Sequence, residues 1–221
     1  MFDGRFRRSV EVVTTPVGRG LVRAGFSADV LTASGLVFAC ATAWAIAAGT
    51  HWEAIVLLTL TGFQDLFDGP VAKASQRASQ RGSFFDSVVD RVSDAVLLGG
   101  VAYYLTAHHH GELVLLPFAI LTSTFMISYQ RSKAESLGLS AKGGLMERAE
   151  RMILLGVALL ARVIFVPVLW LMLVLTTMTA LGRFRRVWSV AARPEPARPA
   201  AYRPRQHAAR RWRSLSRTTR H

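Results

Sequence analysis

The stretch Asp65-Leu66-Phe67-Asp68-Gly69-Pro70-Val71-Ala72-Lys73, with Gly82, Asp86 and Asp90 after it, decides how this chain is read. Both halves lie in segments otherwise apolar enough to enter a membrane. A carboxylate at that depth costs about 2.5 to 3.5 kcal/mol on insertion scales unless it faces water, a cation or a partner. Residues three or four apart share one face of an α-helix, so Asp65 and Asp68 project together from one helix and Asp86 and Asp90 from the next. The connection between the two segments makes them antiparallel neighbours, and the two carboxylate pairs meet near one end. Such a set of oxygen donors suits a hard divalent cation. Four carboxylates balance two such ions, and a pair of ions can clamp a diphosphate while an oxygen is activated for attack. Gly69, Ala72 and Gly82 leave room for a ligand to approach the backbone. Two other readings use the same acids: a polar seam of ion pairs with Lys73, Arg77, Arg81 and Arg91, and a proton or ion pathway.

Outward from this stretch, the 221 residues are 51% hydrophobic yet carry a formal net charge of +13, a combination rare in soluble proteins. A membrane protein follows. Twelve arginines against the single acid Glu195 place +11 of that charge from Arg183 onward. Six segments, 30–49, 53–74, 83–107, 113–135, 146–163 and 166–182, are long enough to cross a hydrocarbon core of about 30 Å as helices of roughly 20 residues. The second and third are the least hydrophobic. Positive charge is retained on the cytoplasmic side, which assigns to that side the amino-terminal Arg5, Arg7, Arg8, Arg19 and Arg23, then Arg77 and Arg81, then Arg131, Lys133, Lys142 and Arg148. The alternating connections 50–52 and 108–112 hold no Lys or Arg, and the last holds only Arg162. Both termini and the acidic site then face the cytoplasm.

Ahead of the first span, Phe2, Phe6, Val10, Val13 and Val17 recur at helical spacing between arginines, as in a helix lying in the membrane interface. Thr15-Pro16 is expected to start a second short turn there. The amino terminus lacks the apolar run of a cleavable signal. The Pro-, Arg- and Ala-rich tail reads as disordered and held loosely to anionic headgroups; no nucleic-acid partner is expected. Cys40 stands alone, so neither a disulfide nor a cysteine metal cluster is available. His108-His109-His110 falls in an expected external loop, far from the aspartates. The expected fold is all-α: a polytopic membrane protein with six transmembrane helices preceded by an interfacial amphipathic helix. It divides into a juxtamembrane segment 1–28, a six-helix body 29–188 and a basic cytoplasmic tail 189–221.

The run from Asp65 to Lys73, with Gly82, Asp86 and Asp90 at their spacing, resembles the signature of the CDP-alcohol phosphatidyltransferase family. The family pattern has Arg where this chain has Lys73, and Lys keeps the charge but loses the planar, bidentate grip on phosphate. The resemblance implies a cell-membrane homodimer with a cytoplasm-facing cavity. In it Asp65, Asp68, Asp86 and Asp90 hold Mg²⁺ or Mn²⁺, two ions, on the diphosphate of CDP-diacylglycerol. Asp90 is implied also as the general base that takes the acceptor's hydroxyl proton before CMP leaves. The nucleotide is implied to contact Asp29, Val30, Leu31, Thr32, Gly69, Lys73 and Ser79. Asp94, four residues beyond Asp90, could support it or pair with Arg91.

Acceptor choice is read from the cytoplasmic halves of the later spans, where Lys133, Arg148 and Arg183 stand at helix ends. Three cations around one cavity suit a phosphate monoester, held by charge-assisted hydrogen bonds, although each alone is a common topology residue. Thr14-Thr15-Pro16-Val17-Gly18-Arg19-Gly20-Leu21, Ser128-Tyr129-Gln130-Arg131-Ser132-Lys133-Ala134-Glu135 and Gly143-Gly144-Leu145-Met146-Glu147-Arg148-Ala149-Glu150-Arg151 are similar to the phosphatidylinositol-phosphate synthase branch of that family. That branch implies 1D-myo-inositol 3-phosphate as the acceptor, its phosphate held by Lys133, Arg148 and Arg183. Glycerol 3-phosphate as acceptor, or transport through the same acids, are the rival expectations.

Overall fold

The computed structural model describes residues 5–75, 79–108, 111–141 and 143–192, with only the backbone described over 5–13. Every regular element among them is helical. The order is α1 (Arg5–Arg23), α2 (Ala28–Ala47), α3 (His51–Ala74), α4 (Gln80–His108), a single 3-10 turn (Gly111–Val114), α5 (Leu115–Ser136), α6 (Arg148–Leu160) and α7 (Arg162–Ala191). The described residues up to Val187 form one compact unit, and the described residues from Trp188, at the end of α7, are assigned to a second. Lys142, His109, His110, Arg77 and the tail beyond Ala192 lie outside the described residues, as do the side chains of Phe2, Phe6, Val10 and Val13.

Local chemistry accounts for several of the helix ends. Ser27 caps α2, its Oγ accepting from the Val30 N–H at 3.3 Å. α2 and α5 each stop at a left-handed glycine, Gly49 at φ 75° and Gly138 at φ 73°, where the Thr50 and Leu139 amides reach back to the carbonyls of Ala45 and Ala134. Glu147 and Glu150 form a reciprocal capping box that starts α6. Its last turn meets α7 through one extended residue, Ala161.

Three helical stretches, Ala28–Ala47, Gly111–Ser136 and Arg162–Ala191, are long and apolar enough to cross a membrane. Exposed Val37 and Trp44 on α2, Phe118 and Phe125 on α5, and Trp170, Leu171, Val174 and Met178 on α7 give these helices surfaces suited to hydrocarbon. α3 and α4 have the length, at 24 and 29 residues, but carry the aspartates. The expected fifth segment is shorter than its sequence range. α6 has 13 residues, about 20 Å of helix, because Glu147 caps one end and Ala161 breaks the other. The break carries no glycine or proline and so leaves no mark in the sequence. No second turn begins at Thr15-Pro16: α1 continues through Pro16. A proline's φ is itself helical, and α1 is supported by packing along α3. There, a β-carbon on Gly18 would stand 3.0 Å from the Pro70 ring.

The apolar core joins Ala39 and Ile46 of α2, Leu58 of α3, Leu97, Val101 and Leu105 of α4, Leu155 and Leu159 of α6, and Phe165 and Leu169 of α7. α2 packs against both α3 and α4. Its approach to α4 is so close at Gly100 that a β-carbon there would lie 2.4 Å from the Ala43 carbonyl oxygen. Beyond this core, towards the carboxyl end of α3 and the amino end of α4, polar side chains replace apolar ones.

Candidate active site

Three cavities follow one another along this polar end. In the central one, of about 420 Å³, α3 contributes Asp65 and Asp68, α4 contributes Asp86 and Asp90, and α6 contributes Arg148. The convergence of the four acids follows from the spacing on each helix. Gly62, Leu66, Met152 and Ile153 line its apolar side. The Asp68 carboxylate is fixed by the amide of the next residue, Gly69, which donates to its Oδ1.

Asp68 and Asp86 also line the second cavity, of about 230 Å³, with Asp29, Thr32, Gly69, Ala72, Ser79 and Gly82. Of the residues expected to meet a nucleotide, Asp29, Thr32, Gly69 and Ser79 therefore surround one space. Leu31 is buried in the core, Val30 is exposed, and Lys73 is exposed near the end of α3. An adjoining space of about 460 Å³ adds Val22, Gly25, Phe26, Ser27 and Ser75 to the same neighbourhood. The turn between α1 and α2 gave no signal in the sequence for this role.

On the other side, Asp90 and Arg148 line a third cavity, of about 140 Å³, with Asp94, Ser128, Arg131, Glu147, Arg151 and Arg183. Arg148 and Arg183 are brought together as expected. Lys133 is exposed on α5, and residues two apart on a helix point about 200° away from each other. Since Arg131 faces the cavity, Lys133 is turned from that side, and the α5 cation that meets the cavity is Arg131. Arg151, Glu147 and Ser128 were also missed as cavity residues. The repeat Glu147-Arg148 and Glu150-Arg151, at helical spacing, was the available signal for the first two.

Ion pairs tie these cavities together. Arg148 donates from Nε to Asp65 Oδ2 at 2.5 Å and from Nη1 to the Asp90 carbonyl at 2.6 Å. Its Nη1 also lies 3.2 Å from Asp90 Oδ1 and 3.6 Å from Asp94 Oδ1. Arg151 binds Asp94 Oδ2 at 2.7 Å, and both side chains are about nine-tenths buried. Asp94 thus pairs with Arg148 and Arg151, while Arg91 pairs with Asp90 at 3.3 Å. The Arg183 guanidinium, 2% exposed, donates to the Ile127 and Gly143 carbonyls and to Glu147 Oε1, which locks α7 to α5 and to the turn before α6.

Among the described residues no three carboxylates or imidazoles are drawn close enough to enclose an ion as they stand. The donor set nonetheless fits one. Four carboxylates facing a single cavity supply the oxygen ligands that Mg²⁺ and Mn²⁺ prefer over nitrogen or sulfur. At the opposite end, His108 stacks on Tyr104 with ring centroids 4.5 Å apart, which accounts for it as packing.

Residues 26–187 match the family model for CDP-alcohol phosphatidyltransferase. An archaetidylinositol phosphate synthase of Methanothermobacter thermautotrophicus is 36% identical over 75% of this chain and 82% of its own. A phosphatidylinositol phosphate synthase of Cutibacterium acnes is 38% identical over 70% of this chain and 75% of its own. Among solved structures, the phosphatidylinositol phosphate synthase of Mycobacterium tuberculosis with CDP-DAG bound superposes with a TM-score of 0.74 at 26% identity, covering 83% of this chain and 98% of that one. The same protein in complex with manganese and citrate also gives 0.74, at 27% identity, over 83% and 93% of the two chains. The aspartate-bearing helices and the matches together place the chain in the CDP-alcohol phosphatidyltransferase family, as a membrane-associated transferase.

Proposed function

We propose that this chain is a phosphatidylinositol-phosphate synthase, transferring the phosphatidyl group of CDP-diacylglycerol to 1D-myo-inositol 3-phosphate with release of CMP. The observation that carries this reading is the series of three cavities: a niche lined by Asp29, Thr32, Gly69 and Ser79, a chamber of four aspartates, and a pocket of arginines. Nucleotide, diphosphate and acceptor phosphate need those surroundings in that order. The arginine pocket combines Arg91, Arg131, Arg148, Arg151 and Arg183 with Asp90, Asp94 and Glu147. Its excess of two positive charges suits the dianion of a phosphate monoester. The related synthases of both organisms are named for an inositol phosphate product, which favours inositol 3-phosphate over glycerol 3-phosphate.

In this reading Asp65, Asp68, Asp86 and Asp90 hold Mg²⁺ or Mn²⁺, as two ions, which neutralise charge on the diphosphate when bound. Asp90, shared by the acidic chamber and the arginine pocket, accepts the proton of the attacking inositol hydroxyl. The hydroxyl oxygen forms a bond to the lipid-side phosphorus, the bond from that phosphorus to the CMP oxygen breaks, and CMP leaves with the electron pair. Arg131, Arg148 and Arg183 hold the acceptor phosphate, Arg131 taking the place expected of Lys133. Lys73 meets the nucleotide's phosphates as a point charge. Val30 and Leu31 serve by placing Asp29 and Thr32.

The same proposal extends to the setting: α2 to α7 as six spans, both termini and the site towards the cytoplasm, α1 lying in the interface, and a homodimer in the cell membrane. The carboxylates then sit where water-soluble inositol phosphate reaches them. Membranes containing the expressed protein should release CMP from CDP-diacylglycerol when inositol 3-phosphate is supplied. A strict preference for glycerol 3-phosphate would transfer the assignment to a phosphatidylglycerophosphate synthase.

A further inference from the structure

Arg148 occupies an unusual position for a residue assigned to an acceptor's phosphate. Its guanidinium does not point freely into the arginine pocket. It bridges Asp65 of α3 and Asp90 of α4, two of the four carboxylates proposed to hold divalent cations, and it lines both the acidic chamber and the arginine pocket. A guanidinium in that place neutralises the charge that a divalent ion would neutralise. Arg151 behaves differently: it is bound to Asp94 at 2.7 Å and nearly buried, so Asp94 keeps a counter-ion whatever Arg148 does. Asp90 likewise keeps Arg91 at 3.3 Å, so the carboxylate for which Arg148 is the counter-ion among the described ion pairs is Asp65, one that a cation would claim.

We propose that Arg148 is an exchangeable counter-cation: a divalent ion entering the acidic chamber displaces its guanidinium from Asp65 and Asp90 into the adjoining arginine pocket, so that cation binding completes the site for the acceptor's phosphate. The inference rests on the proposed function for the identity of cation and acceptor. It adds an order of events, cation before acceptor, and names the side chain that enforces it. A like-charged group cannot share Asp65 with a divalent ion at contact distance without strong repulsion, and a turn of one long side chain is enough to move the charge between two cavities that already share it as a wall. Because the coupling is thermodynamic, the acceptor must tighten cation binding by the same factor as the cation tightens acceptor binding.

The test uses the purified full chain in detergent, with Mn²⁺ binding followed by electron paramagnetic resonance and inositol 3-phosphate binding by calorimetry. In the wild type, each ligand should raise the affinity for the other about fivefold or more, within the usual range of site coupling. Arg148→Gln should bind Mn²⁺ more tightly than wild type, and the coupling should disappear. Arg148→Lys, whose compact ammonium cannot span both carboxylates, should also bind Mn²⁺ more tightly, and it serves if the glutamine variant fails to fold. Unchanged or weaker Mn²⁺ binding would overturn the proposal, since a side chain that supports metal ligands from behind loses about 10- to 100-fold in metal affinity when removed. Coupling that survives in Arg148→Gln would also overturn it, by tracing the linkage to direct contact between phosphate and cation. A wild type that binds both ligands independently defeats this inference alone, whereas one that binds no Mn²⁺ defeats the proposed function with it.

Discussion

Asp94 and Arg151 show how charge is afforded inside this protein. Each side chain is about nine-tenths buried, and they meet at 2.7 Å, so removing Arg151 leaves buried Asp94 to the looser contact with Arg148 at 3.6 Å. Arg151→Met is expected to destabilise the fold by about 3–5 kcal/mol. The double variant with Asp94→Asn should recover much of that loss; thermal unfolding of the detergent-solubilised protein, run as a double-mutant cycle, measures both. Lys73 carries a different expectation. It is exposed at the end of α3, where the family signature has Arg, and Lys73→Arg should lower the KM for CDP-diacylglycerol several-fold with kcat little changed, through a bidentate grip on phosphate. At this scale the sequence was most informative about the aspartates, because two pairs at helical spacing can only point one way from their helices. It was least informative about arginines. Whether Arg131 or Lys133 faces a cavity depends on the rotation of α5, which no local pattern fixes when both faces carry cations.

Helix existence was legible throughout, because apolar length and flanking charge need no tertiary context. Of the helix ends, Gly49 was read as the limit of the first span, while the cap at Ser27 and the left-handed turn at Gly138 were not read. The junction of α6 and α7 was not legible: Ala161 is extended with no glycine or proline to mark it, and α6 is shorter than a span of average thickness. α1 was expected to break at Pro16 and does not, since packing along α3 outweighs one lost hydrogen bond. The tight crossing of α2 and α4 also yields a prediction. A methyl group at Gly100 would meet the Ala43 carbonyl oxygen at 2.4 Å, so Gly100→Ala should force α2 and α4 apart. An overpacking cost of about 1–3 kcal/mol is expected, read as a lower unfolding temperature in detergent. Because α2 packs against both aspartate helices, turnover should fall by more than that loss of folded protein explains. A fall in proportion to stability alone would separate the crossing from the geometry of the site.

For the molecule as a whole, the proposed topology places the turn before α5 outside the cell and the turn before α6 inside. With Cys40, the only cysteine, replaced by serine, a membrane-impermeant thiol reagent applied to intact cells should label Glu112→Cys and spare Ser140→Cys. The reverse pattern would invert the protein. Orientation was read from the distribution of Lys and Arg in short connections. The count of spans rests on α3, α4 and α6, whose acids and length put them outside the apolar set. These helices carry the chamber, and the chemistry of the chain depends on it. The most direct measurement is CMP release from CDP-diacylglycerol by purified protein, with and without Mg²⁺, in the wild type and in Asp65→Asn, Asp68→Asn, Asp86→Asn and Asp90→Asn. The predicted result is release that needs both Mg²⁺ and inositol 3-phosphate and that falls at least about 100-fold in Asp90→Asn, with clear losses in the other three and all four proteins still folded. Near wild-type release from folded Asp90→Asn protein, or release indifferent to chelation of the divalent ion, would contradict it.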